Sequence, residues 1–217
     1  MSLEHKIRTP NTFIGIDESY PYVMGKESNY QKSTIVISAV VSHHHSTIKQ
    51  GRFYHKIRGR GESGFSAQDV LDNLRERKTE DFRYMTLPTN IFNKDEIPGL
   101  NKVQTLELLS IASIVPHLTR KPLRTALYID LFGNPRIILN ELTRLLSIQD
   151  CPISPQNIHI SQRLDTSIPI TNLADYLSWA FGSSYKNGKK LLEEFDHQRM
   201  HSQEVLKLKP YLAKNYV

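Results

Sequence analysis

The chain has 217 residues, of which 39% are hydrophobic and 23% are charged, and it carries a formal net charge of +6. This composition argues against a disordered chain and against a membrane protein, and the length predicts one domain over residues 1–217. The single cysteine, Cys151, rules out an intramolecular disulfide and a multi-cysteine zinc site. With no apolar signal-peptide stretch at the N-terminus, these features predict a cytoplasmic protein with no membrane partner.

The first half of the chain predicts two strands, a basic loop and a helix. The β-rich runs Thr12–Asp17 and Ser33–Ser42 predict strands that could pair as a hairpin. Between Gly51 and Phe65, arginines and lysines alternate with glycines, which is typical of a basic loop. A capping box in which Ser66 is followed three residues later by an Asp then predicts a helix running to about Thr79.

In the second half, strand and helix patterns alternate. Helical spacing of apolar residues or helical length predicts helices over Leu100–Leu118, Pro135–Ile148, Ile170–Tyr185 and Lys189–Leu206. Apolar or alternating runs predict strands over Asp81–Leu87, Thr125–Phe132 and Asn157–Leu164. The order predicts an α/β fold with a mixed five-stranded sheet, helices on both faces and a helical C-terminal extension over about 188–217.

Several carboxylates lie inside or at the end of these apolar elements. Asp17 and Glu18 end the first strand, Asp130 lies in the strand Thr125–Phe132, and Asp175 lies in the helix Ile170–Tyr185. Moving an unpaired carboxylate from water into an apolar environment costs on the order of several kcal/mol of free energy. Because neighbouring strands end side by side, the acids could converge and bind hard divalent cations such as Mg2+ or Mn2+.

Each acid also has a local structural interpretation. Asp17 and Glu18 could begin a turn, since short polar side chains bond to nearby backbone groups. Asp130 could cap the turn at Gly133, and Asp175 could belong to a polar strip with Ser178 on its helix. The joint placement on two strands and a covering helix is more specific than any one position.

The sequence Phe-Ile-Gly-Ile-Asp17-Glu18-Ser19 resembles the first-strand motif of the ribonuclease H-like superfamily. It is similar to the Gly-Ile-Asp-Glu-Ala-Gly motif of type 2 ribonucleases H, and more so to the Asp-Glu-Ser-Gly strand of uncharacterised, DUF3800-like proteins. Tyr-Ile-Asp130 resembles the fourth-strand acid of that superfamily. Asp165-Thr-Ser and Thr-Asn-Leu-Ala-Asp175 resemble the Asp-Ser and Leu-Gln-Leu-Ala-Asp segments of the uncharacterised group.

This resemblance implies a ribonuclease H-like fold and a metal site. Asp17, Asp130 and Asp175 would ligate Mg2+ or Mn2+, with Glu18 or Asp165 completing the ligand shell. The catalytic set would be Asp17, Glu18, Asp130 and Asp175. Type 2 ribonucleases H follow the acid pair with Gly-Arg-Gly, where this chain has Ser19-Tyr20-Pro21-Tyr22, so hybrid recognition is not carried over.

The basic balance favours a nucleic-acid partner, DNA or RNA, because phosphate contacts supply most sequence-independent affinity. We predict that Arg58, Arg60 and Lys189 bind nucleic acid, although each could be ordinary surface charge. The consecutive histidines His43–His45 point to alternate faces of a strand, so a solvated strand end is favoured over a metal site.

These features lead to one hypothesis and one alternative. The hypothesis is a metal-dependent nuclease that hydrolyses phosphodiester bonds by a two-metal mechanism with water as the nucleophile. The alternative is a non-catalytic nucleic-acid-binding or assembly protein on the same fold, in which the acids are structural.

Overall fold

Six strands form one mixed sheet in the computed structural model, which describes residues 9–19, 34–49, 66–92, 96–130, 133–186 and 190–212. The strands are β1 (Thr12–Ser19), β2 (Thr34–Ser42), β3 (Asp81–Pro88), β4 (Thr125–Asp130), β5 (Ile158–Ser161) and β6 (Arg199–Met200). Their order across the sheet is β5-β4-β1-β2-β3-β6. The strand β1 pairs with β2 antiparallel and with β4 parallel, so the predicted hairpin pairing is confirmed.

Helices cover both faces of this sheet. They are α1 (Ala67–Glu76), α2 (Lys102–Leu118), α3 (Pro135–Ile148), α4 (Pro169–Lys186), α5 (Lys190–Glu194) and α6 (Gln203–Leu212). Side chains alternate along β1, so Ile14 and Ile16 join the core under α2, α3 and α6, whereas Phe13 joins the core under α4 and α5. None of the described helices is long and apolar enough to cross a membrane.

Local sequence explains where the helices begin. The predicted capping box is present at α1, where the Ser66 side chain and Asp69 bond to each other's backbone N–H groups. Asn101 caps α2 in the same way with Gln104, and Asn134 caps α3 by accepting from the next two backbone N–H groups after Pro135. Pro116 lies in the last turn of α2, which ends two residues later.

The C-terminal prediction of one continuous helix over Lys189–Leu206 is wrong. In the structure, α5 ends at Glu194, the chain forms the short strand β6, and α6 follows. The apolar residues explain the break, because Leu191 and Phe195 pack under α4 whereas Met200 and Val205 pack in the core on the other face. The chain must therefore pass around the sheet edge, and there β6 pairs with β3 as a sixth strand.

The boundary of a strand at the opposite edge of the sheet also differs from the prediction. The predicted strand Asn157–Leu164 is only Ile158–Ser161, because Arg163 adopts a left-handed conformation with a φ of 66° and turns the chain. The strand β4 is described as far as Asp130, and the last two residues predicted for it, 131–132, lie outside the described part. The predicted basic loop Gly51–Phe65 also lies outside it.

Candidate metal-binding site

Strand register brings Asp17 and Asp130 side by side. Gly15 pairs with Tyr128 and Ile16 with Ile129 in the parallel β1–β4 ladder, so Asp17 and Asp130 occupy the next matching position. Alternation along each strand turns both side chains to the face that carries α4, since Phe13 and Ala126 lie in the core beneath that helix. This geometry explains how two acids distant in sequence become neighbours.

Close packing of α4 on β1 brings Asp175 to the same place. A Cβ built on Gly15 would lie 2.5 Å from the carbonyl carbon and oxygen of Ile170 and 2.7 Å from the backbone nitrogen of Thr171. Glycine therefore lets the first turn of α4 touch the strand backbone two residues before Asp17. Asp175, one turn further along α4, interacts electrostatically with both Asp17 and Glu18.

Asp165 reaches the site through the turn between β5 and α4. Its backbone N–H donates to Asp130 Oδ2 at 3.3 Å, and its side chain is hydrogen-bonded to the Asp130 carboxyl group. The backbone N–H of Arg163 also faces this carboxyl group and lowers its pKa. Strand register, the packing of α4 and the β5–α4 turn therefore bring the predicted acids to one region of the sheet, and we name the carboxylate cluster by its members Asp17, Glu18, Asp130, Asp165 and Asp175.

Asp17 is the buried centre of the carboxylate cluster, with 7% of its surface exposed. Burial raises its pKa well above the ordinary range, and the charges of Glu18, Asp175 and Asp130 raise it further. A hydrogen bond from the backbone N–H of Glu18 to Asp17 Oδ1, at 2.7 Å, opposes this shift. The carboxylate is thus held among like charges that disfavour its ionised form.

The neighbouring acids are shifted in the same direction. Burial first and then the charge of Asp130 raise the pKa of Glu18 to about 8. Burial first and then the hydrogen bond and charge of Asp165 raise the pKa of Asp130 to about 7. Clustered acids with raised pKa values are typical of functional sites, although structural networks also show them.

The donor chemistry of the carboxylate cluster fits a hard divalent cation, which takes carboxylate oxygens and would relieve their repulsion. A second observation points the same way. Ser38 lies opposite Asp17 in the β1–β2 ladder, is fully buried, and its hydroxyl has no hydrogen-bond partner in the part of the chain that the structure describes. In the described ranges, no three or more acidic, histidine or cysteine side chains lie close enough together to hold a metal ion as they stand.

The structure does not describe the basic residues that were predicted to bind nucleic acid. Arg58, Arg60 and Lys189 lie outside the described residues. Two exposed arginines that the sequence did not single out, Arg136 and Arg163, come after the ends of β4 and β5, at the end of the sheet where Asp130 lies. Little in the sequence indicated these two arginines, because their position becomes clear only once the ends of β4 and β5 are known. The histidines His43–His45 are exposed after β2, as a solvated strand end requires.

The fold was compared with solved structures. The chain resembles ribonuclease H2 from Pyrococcus horikoshii OT3, with a TM-score of 0.50 and 11% identity over 92% of this chain and 86% of that one. The fold is ribonuclease H-like. The predicted fold class is thereby confirmed, with six strands in place of five.

Two further ribonuclease H-like structures are similar at lower scores. One is RNase HII from Archaeoglobus fulgidus in complex with PCNA, with a TM-score of 0.46 and 16% identity over 94% of this chain and 89% of that one. The other is Bst-RNase HIII in complex with Mn2+, with a TM-score of 0.41 and 14% identity over 87% of this chain and 58% of that one. No protein-family model and no curated protein matches the sequence. The similarity to ribonuclease H2 shows the fold alone, and the evidence on chemistry lies in the carboxylate cluster.

Proposed function

We propose that this protein is a metal-dependent nuclease that hydrolyses phosphodiester bonds of nucleic acid. One observation carries the proposal: β1, β4, the β5–α4 turn and α4 each contribute acids to one partly buried cluster on the ribonuclease H-like sheet. Burying that many like charges is unfavourable unless a counter-charge is bound. A structural role alone gives no reason to bring acids together from four elements.

Asp17, Asp130 and Asp175 are the proposed ligands for Mg2+ or Mn2+, with Glu18 or Asp165 completing the shell. Bound divalent ions supply a more acidic water nucleophile and stabilise charge on the leaving oxygen of a phosphodiester. Asp165 orients Asp130 through its backbone N–H and its side chain. Glu18 is hydrogen-bonded to Asp17, and its raised pKa suits a group that holds or passes a proton near neutral pH.

Two exposed arginines come after the ends of β4 and β5 and suit a polyanionic substrate. Arg136 lies at the start of α3 after β4, and Arg163 lies in the turn after β5; both are exposed. Guanidinium groups bind phosphate oxygens in a fixed two-pronged geometry, so we propose that these two residues position the substrate backbone. The net charge of +6 favours the same class of ligand.

The finer relationship is also a proposal. The motifs around Asp17, Asp165 and Asp175 support a place with the DUF3800-like proteins of the Asp-Glu-Ser-Gly type. The Ser19 to Tyr22 segment, which replaces Gly-Arg-Gly, argues against recognition of RNA–DNA hybrids in the manner of type 2 ribonucleases H. The substrates to be tested for cleavage should therefore include both RNA–DNA hybrids and non-hybrid molecules.

The test is cleavage of labelled single-stranded, duplex, hybrid and branched nucleic acids in the presence of Mn2+ or Mg2+. We expect Asp17→Asn to abolish cleavage, because Asp17 lies at the centre of the cluster. The matched control is Asp196→Asn, an exposed acid on the last turn before β6, which should retain wild-type activity. Full metal-dependent cleavage by Asp17→Asn would disprove the proposed mechanism.

A thermal-shift measurement separates this proposal from the non-catalytic alternative. Ion binding to the folded state alone should raise the melting temperature with Mn2+ concentration, and Asp130→Asn should remove the effect. The alternative predicts no ion-dependent stabilisation. No cleavage together with no shift would therefore favour a binding or assembly protein whose acids are structural.

A further inference from the structure

A pair of aromatic rings lies on the same sheet face as the carboxylate cluster. Tyr128 of β4 and His159 of β5 are partners in the parallel ladder, and their rings stack with centroids 4.7 Å apart and planes 20° apart. Two residues further along each strand are Asp130 and its partner Ser161. One strand repeat, about 7 Å, therefore separates the ring pair from the acids.

The ring pair lies at a part of the sheet that no described helix covers fully. Helix α4 packs over β1 and β2 and touches β4 only at its margin, and β5 is the last strand at this edge of the described sheet. Tyr128 is partly buried against the core beneath α4, whereas His159 is exposed. Desolvation by its neighbours lowers the pKa of the His159 imidazole and so favours the uncharged ring.

From this placement we infer that Tyr128 and His159 form a stacking subsite for unpaired bases of single-stranded nucleic acid. The inference rests on the proposed nuclease function and narrows its substrate class. A base stacked on His159 would continue the ring column that Tyr128 begins, as aromatic platforms do in proteins that bind single strands. In a duplex both faces of a base are covered by its neighbours, so the subsite requires an unpaired base.

Charge supports the choice of ligand. Arg163 follows β5 by two residues and is exposed, and its backbone N–H faces the Asp130 carboxyl group. A single strand of nucleic acid with one base stacked on His159 would have its sugar–phosphate backbone near the Arg163 guanidinium. Its next phosphates would lie near the carboxylate cluster. The ordinary structural role of such a cross-strand pair is a contribution of about 0.2–1 kcal/mol to the sheet, and the test must separate that role from binding.

The experiment measures binding of a labelled single-stranded oligonucleotide of about ten nucleotides by fluorescence anisotropy. EDTA prevents cleavage. A strand of the same length with abasic sugars serves as the second ligand, because it keeps the phosphates and lacks the bases. Three variants are compared with the wild type: His159→Ala, His159→Phe, which keeps a ring, and the control His197→Ala, an exposed histidine near Phe195 beside the opposite sheet edge.

We expect His159→Ala to weaken binding of the base-bearing strand about five- to a hundredfold and to leave the abasic strand unchanged. His159→Phe should restore binding, and His197→Ala should behave as the wild type. An equal loss on both ligands, no loss on the base-bearing strand, or wild-type binding that does not depend on bases would each overturn the inference.

The two proposals fail in distinguishable ways. Base-dependent binding that is lost in His159→Ala, without metal-dependent cleavage of any substrate, would refute the nuclease and keep the subsite. Metal-dependent cleavage that is lost in Asp17→Asn, with unchanged binding by His159→Ala, would refute the subsite alone. Unfolding of each variant in urea checks that a binding loss does not come from a lost fold.

Discussion

Gly15 of β1 and Ile170 of α4 meet so closely that a methyl group on Gly15 would lie 2.5 Å from the Ile170 carbonyl carbon. The contact is between two backbones, so neither side can yield as a flexible side chain would. It sets the height of α4 above β1 and hence the position of Asp175 relative to Asp17. The glycine is thus a structural condition for the carboxylate cluster.

Gly15→Ala should destabilise the protein by about 1–3 kcal/mol, as overpacking of a core usually does. Because α4 must move away from β1, Mn2+ stabilisation should also fall. The measurement is urea unfolding with and without Mn2+. Leu123→Ala, at a side chain that is 56% exposed, is the control and should change the free energy of unfolding by less than about 0.5 kcal/mol. A wild-type unfolding midpoint for Gly15→Ala would contradict the prediction.

The raised pKa of Glu18 predicts the pH dependence of the ion-free protein. The pKa is about 8 in the folded protein against an ordinary 4.5, so between these values the unfolded chain releases a proton that the folded chain keeps. The contribution of Glu18 to the free energy of unfolding is therefore unaffected below the ordinary pKa and falls as the pH rises toward 8.

Glu18→Gln removes this titration. Measured in EDTA, the variant should gain stability relative to the wild type as the pH rises from about 5 to about 9. Urea unfolding at several pH values gives the difference directly. A difference that is independent of pH, or one that falls with pH, would show that Glu18 does not titrate in this way.

Asp165→Ala should weaken Mn2+ binding about ten- to a hundredfold without abolishing it, as loss of a residue that orients a ligand usually does. The variant loses the side-chain hydrogen bond to Asp130 but keeps the backbone N–H bond to Asp130 Oδ2. Titration calorimetry with Mn2+ measures the change. Gln162→Ala, an exposed position in the same turn, should bind as the wild type does; equal affinities for both variants would rule out the orienting role.

Cys151 should report on global unfolding. It is the only cysteine of the chain, it is 3% exposed, and burial raises the pKa of its thiol to about 11. A thiol reagent at neutral pH should therefore react very slowly with the folded protein and rapidly in denaturant, because the reactive thiolate is scarce and covered. Stoichiometric labelling within seconds under native conditions would mean that this part of the core opens readily.

Much of the fold follows from local patterns. The apolar run of β2 and the capped, amphipathic α3 were predicted within one residue because hydrophobic period and capping chemistry act locally. The break between α5 and α6 was not predicted, since it depends on which core Phe195 and Met200 enter. The face on which each residue packs depends on where the sheet ends, and a local sequence pattern carries no information about that.

The acids, too, were only partly predictable from the sequence. An acid in an apolar element signals a special environment, so Asp17, Asp130 and Asp175 could be selected from the sequence. Their proximity required the β1–β4 register and the Gly15 contact, and the role of Asp165 required the turn at Arg163. The Tyr128–His159 pair left no signal of its own, because its meaning comes from the strand pairing.

The order of the elements along the chain also determines when the carboxylate cluster can form during synthesis. The strand β1 lies in the interior of the sheet between β2 and β4, and the residues that complete its acid cluster come from α4, roughly 160 residues later in synthesis. At ~5–20 residues per second, a growing chain spends on the order of ten seconds or more with Asp17 made and Asp175 still absent. A nascent chain therefore carries no assembled cluster, and any hydrolytic activity would begin only when α4 docks on the finished sheet.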